Sequence, residues 1–186
     1  MQSDKNPDQQ PNIPLRLHHN AYVVRDQRVT RRFYEDLIGL PLAACWTERD
    51  EVFGGMRVYC HTFYELADGG ALAFFQFESE ADYERFGPQF RPTPFVHIAL
   101  KTTGETQAAI AERLKQAGCE HFVIEHGYCR SMYVTDPDGL NLEFTVDHPK
   151  AETIAAERRE AVDVDLERWL RGDHSSNNNW RHAENE

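Results

Sequence analysis

The 186-residue sequence contains no apolar run near the roughly 18 residues that a membrane-crossing helix needs. Its opening MQSDKNPDQQPN also lacks the basic-then-apolar order of a secretory leader. From these two absences we expect a cytoplasmic protein with no membrane partner. Basic residues are in short supply, with 20 Lys and Arg against 31 Asp and Glu and a formal net charge of −11. Nucleic-acid binding draws on Lys and Arg that displace counterions from the phosphate backbone, so no nucleic-acid partner is expected. The four cysteines, Cys45, Cys60, Cys119 and Cys129, form no CxxC pair, and in a reducing compartment they read as free buried thiols. There is no GxSxG, no glycine-rich phosphate loop after a strand and no local Cys–His motif. The familiar nucleophilic and nucleotide-binding signatures are therefore missing.

What the chain does have is patterned strands and helices, and they come in the same order twice. Residues 1–14 are polar and proline-punctuated and are expected to be disordered. Residues 15–25 read as a strand, after which Asp26 caps a helix that carries Val29, Phe33, Tyr34 and Leu37 at helical spacing and stops at Gly39. Strands at 41–47 and 58–66 flank a break at Gly54-Gly55, and Asp68-Gly69 turns the chain into a strand at 71–77. A charged connector, 79–94, holds a short helical turn at 81–86. A strand at 95–101 and a helix at 105–117, stopped by Gly118, follow it. Strands at 121–125, 131–134 and 140–146 come next, the last two joined by Asp136-Pro137-Asp138-Gly139. A charged helix spans 150–172, with Ile154, Leu166, Trp169 and Leu170 as its apolar contacts. In the polar tail beyond it, Trp180 belongs either to a frayed end or to an arm that docks on a partner subunit.

His19-Asn20-Ala21-Tyr22 aligns with His97-Ile98-Ala99-Leu100, and the Asp68-Gly69 and Asp138-Gly139 turns correspond. This is a duplication. It predicts an α+β fold of two βαβββ modules, 15–78 and 95–147, with residues 148–186 outside the repeat as a helix and tail. Each four-stranded unit leaves one sheet face uncovered, and pairing two units closes a cleft between those faces. His19, His97 and Glu143 lie in apolar strand-like runs. Burying an uncompensated polar group there costs about 1–3 kcal/mol, and a charge costs more. A divalent metal shared among the three is one compensation.

The repeated module, the HxA that opens each half and the closing DPDGLNLEF resemble the vicinal oxygen chelate superfamily over residues 15–147. That family includes the glyoxalases, bleomycin-resistance proteins, fosfomycin-resistance enzymes and type I extradiol dioxygenases, and the resemblance implies the glyoxalase/bleomycin resistance/dioxygenase fold. By matching positions, it implies that His19, His97 and Glu143 are metal ligands. His19 is preferred to His18 because it shares the HxA register with His97, and adjacent strand residues face opposite ways. The family's fourth ligand position falls on Ala73 or Phe74, neither of which binds a metal, so the chain departs here from glyoxalase I-like members. Three residues are candidates for the substrate pocket: His61, Phe74 as part of an apolar wall, and Gln76, which could reach a water or the substrate.

Two histidines and one carboxylate leave metal positions open, an arrangement that suits Fe(II) binding both O2 and a bidentate catechol-like substrate. Extradiol dioxygenases are similar in placing a histidine and a tyrosine upstream of the last ligand, which here points to His126 as an acid/base group and Tyr133 as a substrate-orienting one. The expected function is Fe(II)-dependent extradiol ring cleavage of a small aromatic substrate by a homodimer. One alternative is a glyoxalase-like lyase or isomerase, or an epoxide-opening transferase, using Mn(II), Zn(II) or Ni(II). The other is a metal-free protein that sequesters a drug or metabolite.

Overall fold

Each half of the chain builds the element order that its hydrophobic pattern predicts. In the computed structural model, which describes residues 14–88, 93 and 95–182, the first half starts with strand β1 (His19–Val23), helix α1 (Gln27–Arg31) and a π-helical segment at Arg32–Ile38. Strands β2 (Leu42–Val52), β3 (Gly55–Glu65) and β4 (Ala71–Phe77) complete it. Helix α2 (Glu80–Phe86) follows. The second half then runs through β5 (Ile98–Lys101), α3 (Gly104–Gln116), β6 (His121–Glu125), β7 (Cys129–Thr135) and β8 (Asn141–Asp147). Helix α4 (Ala151–Leu170) and a 3-10 turn at Asn179–His182 end the described chain. The chain divides into two compact units, 1–89 and 90–186. The disorder expected for the amino terminus, and part of the 79–94 connector, lie outside the described residues. Among the described residues no helix is long and apolar enough to cross a membrane.

The two four-stranded sheets have equivalent orders, β1-β4-β3-β2 and β5-β8-β7-β6. In each, the first and last strands of the module pair in parallel and the other pairs are antiparallel. Side chains alternate across a sheet, so one face of each packs on a helix. In the first unit Leu72, Phe74 and Tyr64 are buried there, and the Tyr34 ring lies 4.5 Å from Phe74 and 5.6 Å from Tyr64. In the second unit Met132, Val134, Leu142 and Phe144 are buried on the corresponding face, and Ile110 and Leu114 are the buried apolar residues of α3.

A pair of glutamines repeats with the sheets. Gln27 Nε2 donates to the Phe74 carbonyl at 3.0 Å, and Gln107 Nε2 donates to the Phe144 carbonyl at 2.7 Å. Each amide ties a helix to the central strand beneath it and satisfies polar groups that burial would otherwise strand. The two Asp-Gly turns also match. Gly69 and Gly139 take φ of 77° and 93°, where a side chain would be strained. Asp68 Oδ1 accepts from the Gly70 amide at 2.8 Å, and Asp136 Oδ1 accepts from the Leu140 amide at 2.7 Å.

Several boundaries differ from the sequence reading. Gly54 does not break the chain: Phe53 and Gly54, with φ of 51° and 80°, form the two-residue turn of a hairpin whose strands run to Val52 and from Gly55. The charged stretch Glu48–Glu51 disguised this extension, because a strand on a sheet edge needs no apolar alternation. Asp26 does cap α1, accepting from the Arg28 amide at 2.8 Å. The helix then widens so that Gly39 and Leu40 both donate to the Tyr34 carbonyl. Of the four apolar residues expected to seat α4, only Ile154 is buried, and Leu166, Trp169 and Leu170 are exposed. The tail folds onto its own unit. Trp180 Nε1 donates to Glu157 at 3.2 Å, its ring lies 5.4 Å from His148, and Lys150 Nζ sits 5.7 Å from the ring centre.

Candidate active site

The second sheet gathers four titratable side chains on the face turned away from α3. β5 and β8 run parallel with Ala99 beside Glu143, so His97, two residues earlier, points to the same side. His97 Nε2 lies 2.7 Å from Glu143 Oε2, and Glu143 is only 6 % exposed. On the other side of β8, Tyr133 of β7 is the register partner of Glu143. Burial first, then a hydrogen bond to Glu143 and its charge, push the Tyr133 phenol up to about 12. The same hydroxyl is 3.0 Å from His126 Nε2. The tautomer of His126 decides which of the two groups donates in this contact. Two close pairs, His97–Glu143 and Tyr133–His126, thus lie side by side, joined by the register of β7 on β8.

His126 reaches this row because the β6–β7 turn folds back tightly, with its amide donating to the Cys129 carbonyl at 2.9 Å. Gly127 is required there: at φ 82° a Cβ would sit 2.3 Å from the Arg181 amide nitrogen. The tail that presses on Gly127 also secures the turn, since Asn178 Nδ2 donates to the His126 carbonyl at 2.9 Å. Phe122 stacks on Tyr133 with ring centres 5.1 Å apart, and an open cavity of about 800 Å³ borders both rings. A second cavity of about 830 Å³ lies between the tail and α4, lined by Tyr128 and Trp180.

The first sheet repeats the framework and lacks the carboxylate. Ala21 pairs with Ala73, and Ala73 with Phe63, in the register that holds Ala99, Glu143 and Tyr133 in the second unit. Of the two candidates for the fourth ligand position, Ala73 is therefore the counterpart of Glu143. His19 packs edge-on to Phe63 at 5.4 Å, as His97 does to Tyr133 at 5.8 Å. His19 Nδ1 lies 2.8 Å from His18 Nδ1. His61 shares this face and stacks on Phe75 at 3.8 Å, with its ring 6.4 Å from His19. Its Nε2 is buried with no hydrogen-bond partner among the described residues, and burial, followed by the charge of His19, holds its pKa below the usual histidine value.

Two pocket candidates face the wrong way. Phe74 is fully buried against Tyr34 on the helix side, and Gln76 Oε1 accepts from the Gln27 amide at 2.7 Å at the start of α1. Their mutual alternation was legible, but a one-residue ambiguity in aligning the fourth strand put both on the opposite face. The sequence did not mark Phe63 as the ring beside His19 or Phe122 as the ring stacked on Tyr133. Extending the alignment through the two Asp-Gly turns pairs Phe63 with Tyr133 and would have found the first of them.

An imidazole and a carboxylate converging at hydrogen-bond distance are a donor set suited to a divalent cation. His97 and Glu143 fit as two of its ligands. Among the described residues no group of three or more His, Cys, Asp or Glu side chains is close enough to form a complete metal cluster.

The fold has clear relatives among solved structures. A mutant of the fosfomycin resistance protein FosX from Listeria monocytogenes, complexed with Mn(II) and 1S,2S-dihydroxypropylphosphonic acid, is 19% identical with a TM-score of 0.54, over 76% of this chain and 99% of that one. A glyoxylase/bleomycin resistance protein/dioxygenase domain from Frankia sp. EAN1pec is 16% identical with a TM-score of 0.55, over 74% and 94%. The oxidase ChaP-H2 is 19% identical with a TM-score of 0.51, over 73% and 96%. At these identities the likeness is one of fold. No curated protein matches the sequence. The family model that describes the Glyoxalase/Bleomycin resistance protein/Dioxygenase superfamily matches residues 16–144, most of both modules, and the chain belongs to that superfamily.

Proposed function

We infer that the protein is a divalent-metal-dependent enzyme and, more specifically, an Fe(II) ring-cleaving dioxygenase for a catechol-like aromatic. The observation that carries this reading is the row from Glu143 through Tyr133 to His126, which sets a proton-handling pair directly beside a buried carboxylate. His97 and Glu143 are the proposed ligands, and His19 is added as a third because it is the repeat equivalent of His97. A bound Fe(II) would supply Lewis acidity and electronic coupling between a catecholate and O2. The protein's own groups then do the following. Tyr133 presents a hydroxyl that His126 Nε2 holds at 3.0 Å. His126 Nε2 and the Tyr133 oxygen form a relay through which a proton can leave or return to a substrate oxygen at the Tyr133 end. Phe122 gives an aromatic ring a flat apolar surface beside that relay. Ala73, which can bind no metal, would add no fourth protein ligand and so would suit a metal that also takes a bidentate substrate and O2.

The test is to load the protein anaerobically with Fe(II), add a panel of catechols and admit air. A yellow ring-fission product and stoichiometric O2 uptake are expected, both lost in His97→Ala along with bound iron. Turnover that needs Mn(II) and no O2 would overturn the dioxygenase reading and favour an isomerase or epoxide-opening reaction at the same ligands. Unchanged metal content in His97→Ala would overturn the metal site itself. The FosX structure with Mn(II) makes that ion the natural comparison.

A further inference from the structure

The first sheet carries a pair of thiols on the side opposite His61. Cys45 on the edge strand β2 and Cys60 on β3 are diagonal neighbours: Cys45 is in register with Thr62, and Cys60 with Thr47. Both point to the face that carries Thr62, and their sulfurs are 3.5 Å apart. Cys45 is exposed and Cys60 is partly buried. By contrast the Cys119 sulfur makes no hydrogen bond among the described residues, and buried Cys129 lies 3.5 Å from the Ser131 hydroxyl. Of the four thiols, only this pair has its sulfurs in contact, and only Cys45 is exposed.

We propose that Cys45 and Cys60 form a reversible thiol–disulfide site that exchanges with a low-molecular-weight disulfide such as oxidised glutathione. The Cys45 thiolate attacks one sulfur of the oxidised glutathione, a protein–glutathione disulfide forms, and one glutathione thiolate leaves. Cys60 then loses its proton to solvent and attacks Cys45 Sγ, expelling the second glutathione. Two protein thiols are oxidised and one disulfide is reduced to two thiols, so electrons and atoms balance. The order follows from exposure. It also agrees with the Cys60 thiol, which burial and the Cys45 hydrogen bond push up to about 11 and so keep from leading the attack. Closing the sulfurs to bonding distance shortens the gap by about 1.5 Å, within reach of small rotations about the two side chains. The cross-link would sit immediately behind the Trp46–His61 register pair, so oxidation would stiffen the strand pair that presents His61.

The experiment treats the reduced full chain with graded ratios of reduced to oxidised glutathione, followed by alkylation and peptide mapping. The expected result is a chain lighter by two hydrogens, with a Cys45–Cys60 cross-linked peptide that dithiothreitol reverses. In Cys60→Ser the reaction should stop at a glutathione adduct on Cys45, and in Cys45→Ser Cys60 should remain alkylatable. Wild-type protein that keeps both thiols at every ratio, that stops at the adduct, or that links Cys45 to another chain would overturn the proposal.

Discussion

Ala73 and Glu143 occupy the same place in the two sheets. Each lies on the fourth strand of its module, beside the alanine that follows the first-strand histidine by two residues. The duplication has therefore kept a histidine in both copies and a carboxylate in one. Restoring symmetry with Ala73→Glu would put a carboxylate at a fully buried position. We expect a loss of several kcal/mol in chelator, the order of magnitude for an uncompensated buried charge. Part of it should return when Mn(II) or Zn(II) is added, because a cation held at His19 would neutralise the new group. Melting curves with and without metal check this, and equal destabilisation in both would argue against a metal at His19.

Tyr133→Phe removes the hydroxyl between Glu143 and His126 while keeping the ring that stacks on Phe122. If the relay transfers a proton during catalysis, kcat should fall about 10²- to 10⁴-fold with little change in bound metal. The variant should also change the alkaline stability profile. Because the folded phenol is held up to about 12, the unfolded chain loses its proton first as pH rises past the ordinary tyrosine value of 10.0. Tyr133 thus contributes stability that is present below that value and is lost as pH rises towards 12. Denaturant midpoints across the alkaline range should fall less steeply in the variant.

His61 acts in the opposite direction. Its folded pKa lies below the ordinary 6.5, chiefly through burial, so the unfolded chain takes up a proton that the folded chain resists. Its contribution to stability is present above 6.5 and is lost as pH falls through the lower folded value. His61→Phe keeps a ring against Phe75 and has no proton to gain. Its unfolding midpoint should therefore vary less with acidification than that of the wild type, and parallel profiles would rule out His61 as a source of the slope.

Gln107→Leu probes the helix-to-strand clamp. Gln107 is 2% exposed, donates to the Phe144 and Arg130 carbonyls, and accepts from Arg130 Nη1 at 2.7 Å. A leucine of similar size leaves those partners unsatisfied, and a loss of about 1–3 kcal/mol is expected by urea denaturation. The mutation lies on the far side of the sheet from Glu143, so metal content should hold in the fraction that remains folded.

The repeat and the order of elements could be read from the sequence because each strand and turn leaves a local mark. The Asp-Gly turns and the alternation of β4, β7 and β8 are of this kind. The second-module cluster was also legible, since Tyr133 and Glu143 belong to strands whose boundaries were nearly correct, while His97 and His126 immediately flank β5 and β6. What escaped depends on parity or on distant partners. Gln76 went to the wrong face because a shift of one residue reverses a whole strand. Gln27 and Gln107 look like ordinary helix polar residues until the carbonyls they hold are known. The proximity of Cys45 to Cys60 depends on the register of a hairpin whose charged tip resembled a loop.

The parallel pairing of β5 with β8 also bears on how the candidate site is assembled. The β6–β7 and β7–β8 pairs join strands close in sequence, whereas β5 meets β8 only after the chain has wound through α3 and both hairpins. Contacts of long sequence separation carry a larger loop-closure entropy and tend to form late. Tyr133 and Glu143 can therefore meet early, in a simple hairpin, while His97 is expected to arrive with the final closure of its module. Acquisition of a metal at His97 and Glu143 would then mark the completion of folding, and a stopped-flow metal-binding signal should lag the appearance of β-sheet structure.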